Sequence, residues 1–318
     1  MRLPHARGAL SEGLVSLLGT GSGRATPPAD LAESDDDRHL SLWMLHELHY
    51  RGFDEVDPRL EWDPELIRLR NALEDQLERW LRDLTAAEIA DAAETSEDLV
   101  TQLEHLTRDQ PGELASYLQR EADEEQFRDY LVQRSIYTLK ESDPHAWALP
   151  RLDGRAKVAL AELVYDEYGA GVPERLHSRL YADALTGAGL DPSYGAYIDR
   201  TPWQVLAHNN AMSMFGLHRR LRGAAMGHLA AFEMTSSLPS RRYVQAAERL
   251  GCDPRVVRYF DEHVEADAVH EQLAARDICA ALVAEEPRLR DDVLLGAAAC
   301  VALDGLAAEH LLDRWGAR

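Results

Sequence analysis

Aromatic residues are scarce in this chain, 7% of its 318 positions, and no stretch alternates apolar with polar residues for more than a few positions. Strands draw on aromatic and β-branched residues in that alternation, so helix is favoured over sheet. Cysteine is nearly absent: Cys252, Cys279 and Cys300 share no close spacing. An odd, scattered trio argues against a disulfide framework, and without a CxxC pair there is no sign of a zinc or dithiol motif. Positive charge is the third deficit. The 34 Lys and Arg face 56 Asp and Glu, for a formal net charge of −22. Such a surface repels phosphate backbones and anionic lipid, so neither nucleic acid nor membrane is an expected partner. No run of about eighteen apolar residues occurs, and MRLPHARGALSEGLVSLLG lacks a signal-peptide core. The cytoplasm is the expected location.

What the chain does have is alanine, leucine and helical periodicity. Residues 1–37 include GTGSGRATPPADLAESDDD, a Gly, Pro, Ser and Asp-rich stretch that reads as a flexible arm. From HLSLWMLHELHYRGF onward, apolar residues recur at three- and four-residue steps. PELIRLRNALEDQLERWLRDL is an amphipathic helix opened by proline in its first turn. Residues 38–125 form a helical N-terminal extension and 126–318 a catalytic bundle. Within the bundle, helices are expected near 154–168, 174–187, 202–235, 239–250, 254–284 and 288–314, with a Pro-bounded loop over 142–152. The fold class is all-α.

The chemistry concentrates in DEHVEADAVHE, residues 261–271. On a helix Asp267 lies about 40° and His270 about 20° from the line of His263, so three metal-capable side chains share one stripe. Imidazole mixed with carboxylate suits Fe, Mn or Zn, and one helix rarely completes such a site. Two other places offer inward donors. Glu233 stands in the apolar run HLAAFEMTSS, where an uncompensated carboxylate is costly to bury. DEYGAGVPERLH carries Glu167, Glu174 and His177 across a Gly-x-Gly break followed by Pro173. Such a kink aims residues that a straight helix would misalign. HELHY, residues 46–50, is not HExxH and reads as packing or surface. His218, Arg219, Arg220 and Arg222 form a basic cluster, read either as ion-paired surface or as capture of a substrate carboxylate or carrier phosphate. Asn209, Asn210 and Ser213 are candidate cavity residues.

These motifs resemble the haem-oxygenase-like non-haem diiron oxidases and oxygenases, the iron-containing redox enzymes, over roughly residues 130–310. The resemblance rests on DEYGAGVPERLH, HLAAFEMTSS and HVEADAVH. It implies a haem-oxygenase-like helical bundle holding two iron ions, with Glu167, His177, Glu233, His263, Asp267 and His270 as ligands. Glu174 is a rival for Glu167, and Glu141 a possible extra carboxylate. O2 is the implied co-substrate. The implied substrate is a small metabolite derived from an amino acid or fatty acid, undergoing oxidative C–C cleavage, desaturation or N-oxygenation. Asn209, Asn210 and Arg219 are the expected substrate contacts; an external electron donor and a homodimer are further expectations. Two alternatives stay open. Gly223-x3-Gly227 would let a helix backbone approach a flat haem or another helix, and a metal-free scaffold protein could keep the same bundle.

Overall fold

A computed structural model describes residues 1–20, 26–108 and 112–317, and within them the side chains of all but 265–269. The helices are α1 (Ala9–Thr20), α2 (Asp35–Glu47), α3 (Pro64–Thr95), α4 (Leu99–Arg108), α5 (Glu113–Arg120), α6 (Glu124–Thr138) and α7 (Asp143–Ala146). They continue with α8 (Gly154–Glu167), α9 (His177–Gly187), α10 (Trp203–Leu217), α11 (Arg222–Arg249), α12 (Pro254–Gln272), α13 (Ala281–Glu285) and α14 (Arg290–Arg314). A π-helical segment, Leu273–Ala280, joins α12 to α13. No strand occurs among the described residues, so the chain is all-α.

Local sequence explains where these helices begin. Ser34 caps α2 by accepting from the Asp37 backbone N–H, with three aspartates in the first turn favouring the positive end of the helix dipole. Asp63 caps α3 and Pro64 occupies its first position. Asp123 and Gln126 form a reciprocal capping box on α6. Pro239 lies inside α11, which runs unbroken from 222 to 249 where two helices were expected. The expected helix over 202–235 is instead divided at a 3₁₀ turn, Arg219–Leu221.

The long helices α11 and α14 pack side by side at the centre, with α12, α10 and α3 against them. Two glycines set that closeness. A Cβ on Gly227 would meet the Val293 carbonyl oxygen at 1.8 Å, and one on Gly296 would meet Ala224 O at 1.9 Å. Gly223 likewise faces Leu289 and Asp292. The Gly223-x3-Gly227 pair therefore serves helix–helix contact, and its backbone has no room for haem. Residues 287–314 are apolar and long enough to cross a membrane by length and composition. Here they form a core helix, with Val293, Leu294, Leu295 and Ala297–Cys300 buried.

The N-terminal segment differs from the expected flexible arm. Leu10, Leu14 and Leu18 of α1 are buried in the same apolar cluster as the leucines of α2 and α3 and the alanines of α11 and α14. The buried Asp37 carboxylate accepts hydrogen bonds from the first amides of α1, Leu10 N at 3.0 Å and Ser11 N at 2.8 Å. The Met1 ammonium reaches Asp54 at 2.8 Å, and the Arg7 guanidinium donates to Ile198 O at 2.7 Å. Local composition reads as loop, but apolar burial and a tertiary cap make it helix. HELHY is also internal. Lys140 Nζ lies 3.0 Å from Glu47 Oε2, both fully buried, and His46 bridges Glu74 and Asn210.

Candidate metal centre

Five segments bring donors to one buried place. α8 ends at Glu167, and the chain turns through Gly169 (φ 77°), Ala170 (φ 51°) and Gly171 (φ 79°). A Cβ on Gly169 would stand 2.6 Å from Leu176 N, so only glycine allows so tight a return. After Pro173, α9 opens on His177, and the two ends meet with His177 Nδ1 3.0 Å from Glu167 Oε2. Glu141 comes from the turn after α6, where Ser142 takes φ 67°. Glu233 projects from the middle of α11, and α12 contributes His263 and His270, seven residues apart.

These donors form two groups. Glu141, His177 and His263 place ligand atoms within 4.8 Å of one another, as do Glu167, Glu233 and His270. All six side chains are buried. Glu167 links the groups: one oxygen faces His177, and the other lies 3.4 Å from His270 Nδ1. His270 Nδ1 also stands 3.5 Å from Glu233 Oε2, and His263 Nε2 lies 3.6 Å from Glu141 Oε2.

The chemistry of this set fits metal. The Nδ1 atoms of His177 and His270 are buried and have no aligned hydrogen-bond partner among the described residues, although carboxylate oxygens lie close by. His263 Nδ1 donates to the Tyr259 carbonyl at 2.8 Å, which fixes the tautomer that turns the lone pair of Nε2 toward Glu141. The far nitrogen of His270 sits 3.5 Å from the half-exposed Asp166 carboxylate. Electrostatics point the same way. Burial opposes charge on His270, but Glu167 and Glu233 outweigh it and hold its pKa up at about 11. Burial likewise raises Glu167, yet His177 and His270 bring it well below the usual carboxylate range. Buried carboxylates draw positive charge into the site, as protons on imidazole or as a coordinated cation.

Not every expected residue is here. Glu174 is exposed on the 3₁₀ turn before α9 and belongs to neither group, whereas Glu141, held as an extra, stands in the first. The side chain of Asp267 lies outside the described residues. Asn210 is bound up with His39 and His46 instead of facing a cavity. Arg219 is exposed, and its basic neighbours are ion-paired: His218 to Glu74, Arg220 to Glu78, Arg222 to Glu286. Asn209 does line a cavity.

That cavity, about 650 Å³, is walled by Arg134, Tyr137, His208, Phe232 and Asp304 among others. A smaller one of about 70 Å³ reaches Glu141 and His263 and shares Tyr130, Arg134, His208, Phe232, Tyr243 and Asp304 with it. Tyr137 lies in the field of all three carboxylates: burial first, then Glu141, Glu167 and Glu233, push its pKa well up. Arg134 and Tyr137, both on α6, escaped the sequence reading. A third buried group, His208, His228 and Cys300, could also hold an ion. Its histidines already satisfy each other, His208 Nε2 to His228 Nε2 at 2.9 Å, and burial keeps His208 down at about 4.

Residues 128–305 match the family of iron-containing redox enzymes. A nitrosourea synthase from Streptomyces achromogenes subsp. streptozoticus is 28% identical over 156 residues, 49% of this chain and 33% of that protein. The chain thus matches about a third of the length of this relative. A CADD-like protein of unknown function from Nostoc punctiforme superimposes with a TM-score of 0.50, covering 76% of this chain and 97% of that one at 16% identity. The last likeness concerns the fold alone.

Proposed function

The chain belongs to the iron-containing redox enzyme family, and from that premise we propose that it is a diiron oxidase or oxygenase that uses O2 on a small metabolite. The observation that carries this reading is the pair of buried donor groups joined through the two oxygens of Glu167. Glu141, His177 and His263 hold one iron, Glu167, Glu233 and His270 the other, and Asp267 is the further ligand that the sequence offers. Iron bound there supplies the one-electron and O2 chemistry that no side chain provides.

The chain's own residues do the remaining work. The Tyr259 carbonyl fixes the His263 imidazole, so that its ligand nitrogen needs little reorganisation on binding. Glu141, Glu167 and Glu233 bring the anionic charge that makes a polycationic centre tolerable in a buried place. Phe232 and Tyr137 meet edge to face at 5.2 Å on the wall of the large cavity. The cavity volume suits a small molecule. The partial likeness to a nitrosourea synthase supports a nitrogen-bearing substrate.

Anaerobic titration with ferrous iron tests the reading. The wild-type chain binds about two ions, Glu141→Ala and Glu233→Ala about one each, and Glu167→Ala weakens both sites. A wild-type chain that binds no iron ends the proposal.

A further inference from the structure

Three of the chain's 13 histidines, His145, His208 and His228, lie buried together, and among the described residues none of them forms an ion pair. Cys300 is buried beside them. One ligand atom each of His208, His228 and Cys300 lies within 4.8 Å of the other two. The three come from α10, α11 and α14, helices that pack against one another at the centre of the bundle. Their hydrogen bonding is incomplete. His208 Nε2 and His228 Nε2 share one contact at 2.9 Å, and His228 Nδ1 lies 3.4 Å from His145 Nε2. Among the described residues His145 Nδ1 has no partner, nor has Cys300 Sγ, whereas Cys279 Sγ donates to Met226 O at 3.3 Å. A buried polar cluster that satisfies only part of its capacity is costly to keep.

We infer that His208, His228 and Cys300 form a further metal site, distinct from the two donor groups and selective for a thiophilic dication such as zinc. The inference goes beyond the proposed function and does not rest on it. Sulfur decides the ion: the donor groups offer nitrogen and oxygen, whereas thiolate with imidazole selects zinc. The spacing is close to what coordination needs. Bonds of about 2.0–2.1 Å at a near-tetrahedral angle set two nitrogens about 3.3 Å apart, so from 2.9 Å the rings need part by only about 0.4 Å. His208 and Cys300 also line the cavity of about 70 Å³, room enough for a water as fourth ligand. His145 supports the arrangement from behind. Accepting from His228 Nδ1, its Nε2 fixes the tautomer that leaves the Nε2 lone pair of His228 for the ion. Charge balances as well. Burial holds His145 and His208 down at about 4 and His228 well below its ordinary value, so all three rings are neutral, the form that ligates. The Cys300 thiol gives its proton to solvent as the sulfur binds. Asp304, exposed one turn further along α14, lines the same cavity and supplies the second negative charge.

Cobalt tests the assignment, because a cobaltous ion held by thiolate absorbs in the near ultraviolet and one held by nitrogen and oxygen alone does not. The full-length protein is freed of metal with a chelator and titrated anaerobically with Co2+. The expected result is a thiolate-to-cobalt band that excess Zn2+ abolishes and that two equivalents of Fe2+ leave in place, following the order of affinities for such donors. Cys300→Ser loses the band while keeping the wild-type iron stoichiometry, and Cys252→Ser keeps the band. His145→Gln weakens cobalt at this site by about 10–100-fold, as removal of an orienting partner does, and His208→Gln and His228→Gln weaken it by more. X-ray absorption of wild-type protein carrying one equivalent of zinc needs no variant. It should show a sulfur at about 2.3 Å beside nitrogens at about 2.0–2.1 Å. No thiolate band with cobalt, no sulfur around zinc, or a band that survives Cys300→Ser overturns the inference. Iron uptake by the donor groups is read separately, so either reading can fail alone.

Discussion

Gly227→Ala is the sharpest test of how α11 and α14 position the centre. The added methyl would sit 1.8 Å from Val293 O and 2.7 Å from Val293 C, where real Cβ atoms do not come nearer than 3.0 Å. The helices must therefore part by about 1.2 Å at this crossing. The obstacle is backbone in a buried helix, so no rotamer change relieves it. Overpacking of this kind costs about 1–3 kcal/mol, and rigid backbone places it at the upper end. Alanine's better helix propensity returns about 1 kcal/mol. The net loss is about 2 kcal/mol, which lowers the melting temperature of a chain this long by about 3 °C. Gly223→Ala meets its neighbours only at 3.0 Å and should cost less. Since Glu233 lies six residues beyond Gly227 on α11, parting the helices also shifts it relative to His270. Iron affinity at that group should fall with stability. Thermal unfolding and ferrous titration of both variants check the pair of outcomes. A Gly227→Ala protein as stable as the wild type would refute the close packing and reopen the glycine pair as the seat of a flat ligand.

Glu47→Gln leaves the Lys140 ammonium, which lies 3.0 Å from Glu47 in a fully buried position, without its counter-charge, while the amide oxygen can still accept from Tyr194 OH. Breaking a buried pair from one side costs about 3–5 kcal/mol, so denaturant unfolding should show a loss well above 1 kcal/mol; a smaller loss would mean that water reaches the pair. Asp37→Ala removes the acceptor of Leu10 N and Ser11 N, at about 1–3 kcal/mol. Hydrogen exchange should then show α1 losing protection while α11 and α14 keep theirs, and unchanged α1 protection counts against the cap. Burial holds the His39 ring, stacked on Trp203, down at about 4 against an ordinary 6.5. The unfolded chain takes up that proton first, so stability falls as pH drops below 6.5 and goes on falling to about 4, by at most about 3 kcal/mol. His39→Gln should flatten the melting temperature against pH over that window, and an unchanged slope would place the acid sensitivity elsewhere.

The helical class and most of the donor set were legible because each depends on local rules. Low aromatic content with helical periodicity excludes sheet, and an i, i+7 pair such as His263 and His270 shares a face of any helix. The break at Gly169, Gly171 and Pro173 was legible too, since those residues permit or force it whatever surrounds them. Glu141 was harder to place. It lies in a turn beyond the end of α6, where no periodicity applies, and its direction depends on the left-handed Ser142 that follows. α1 was misread as part of an arm because its flanks are rich in Gly and Pro. Its helix is secured by Asp37, more than 25 residues away, which local composition cannot report. Asn210 looked like a cavity residue on α10 and became a partner of His39 and His46 once α2 packed against it. Whether a buried polar side chain faces a cavity or a neighbour is decided by the tertiary partner, not by its own helix.

If the donor groups hold two irons as proposed, charge explains why six donors come from five segments instead of a compact motif. Two dications in a low-dielectric interior need anionic ligands in proportion, and a single helix cannot present several carboxylates on one face without strong mutual repulsion. Glu141, Glu167 and Glu233 come from three different segments. Glu167 then faces both groups with separate oxygens, and α12 bridges them from the other side, sending His263 to one and His270 to the other. Three glutamates would leave the two ferrous ions of the proposed function with one positive charge in excess. Asp267 stands in the sequence between those histidines, and its carboxylate would bring the balance to zero. The π-helical segment Leu273–Ala280 that follows packs against α8 and α11, the carriers of Glu167 and Glu233. Its altered turn rephases the chain after His270, so that Ala274, Ala275, Ile278 and Cys279 are buried while the imidazole keeps its aim into the site. The position of the second donor group thus depends on the packing just beyond it, and one helix register sets the spacing of both.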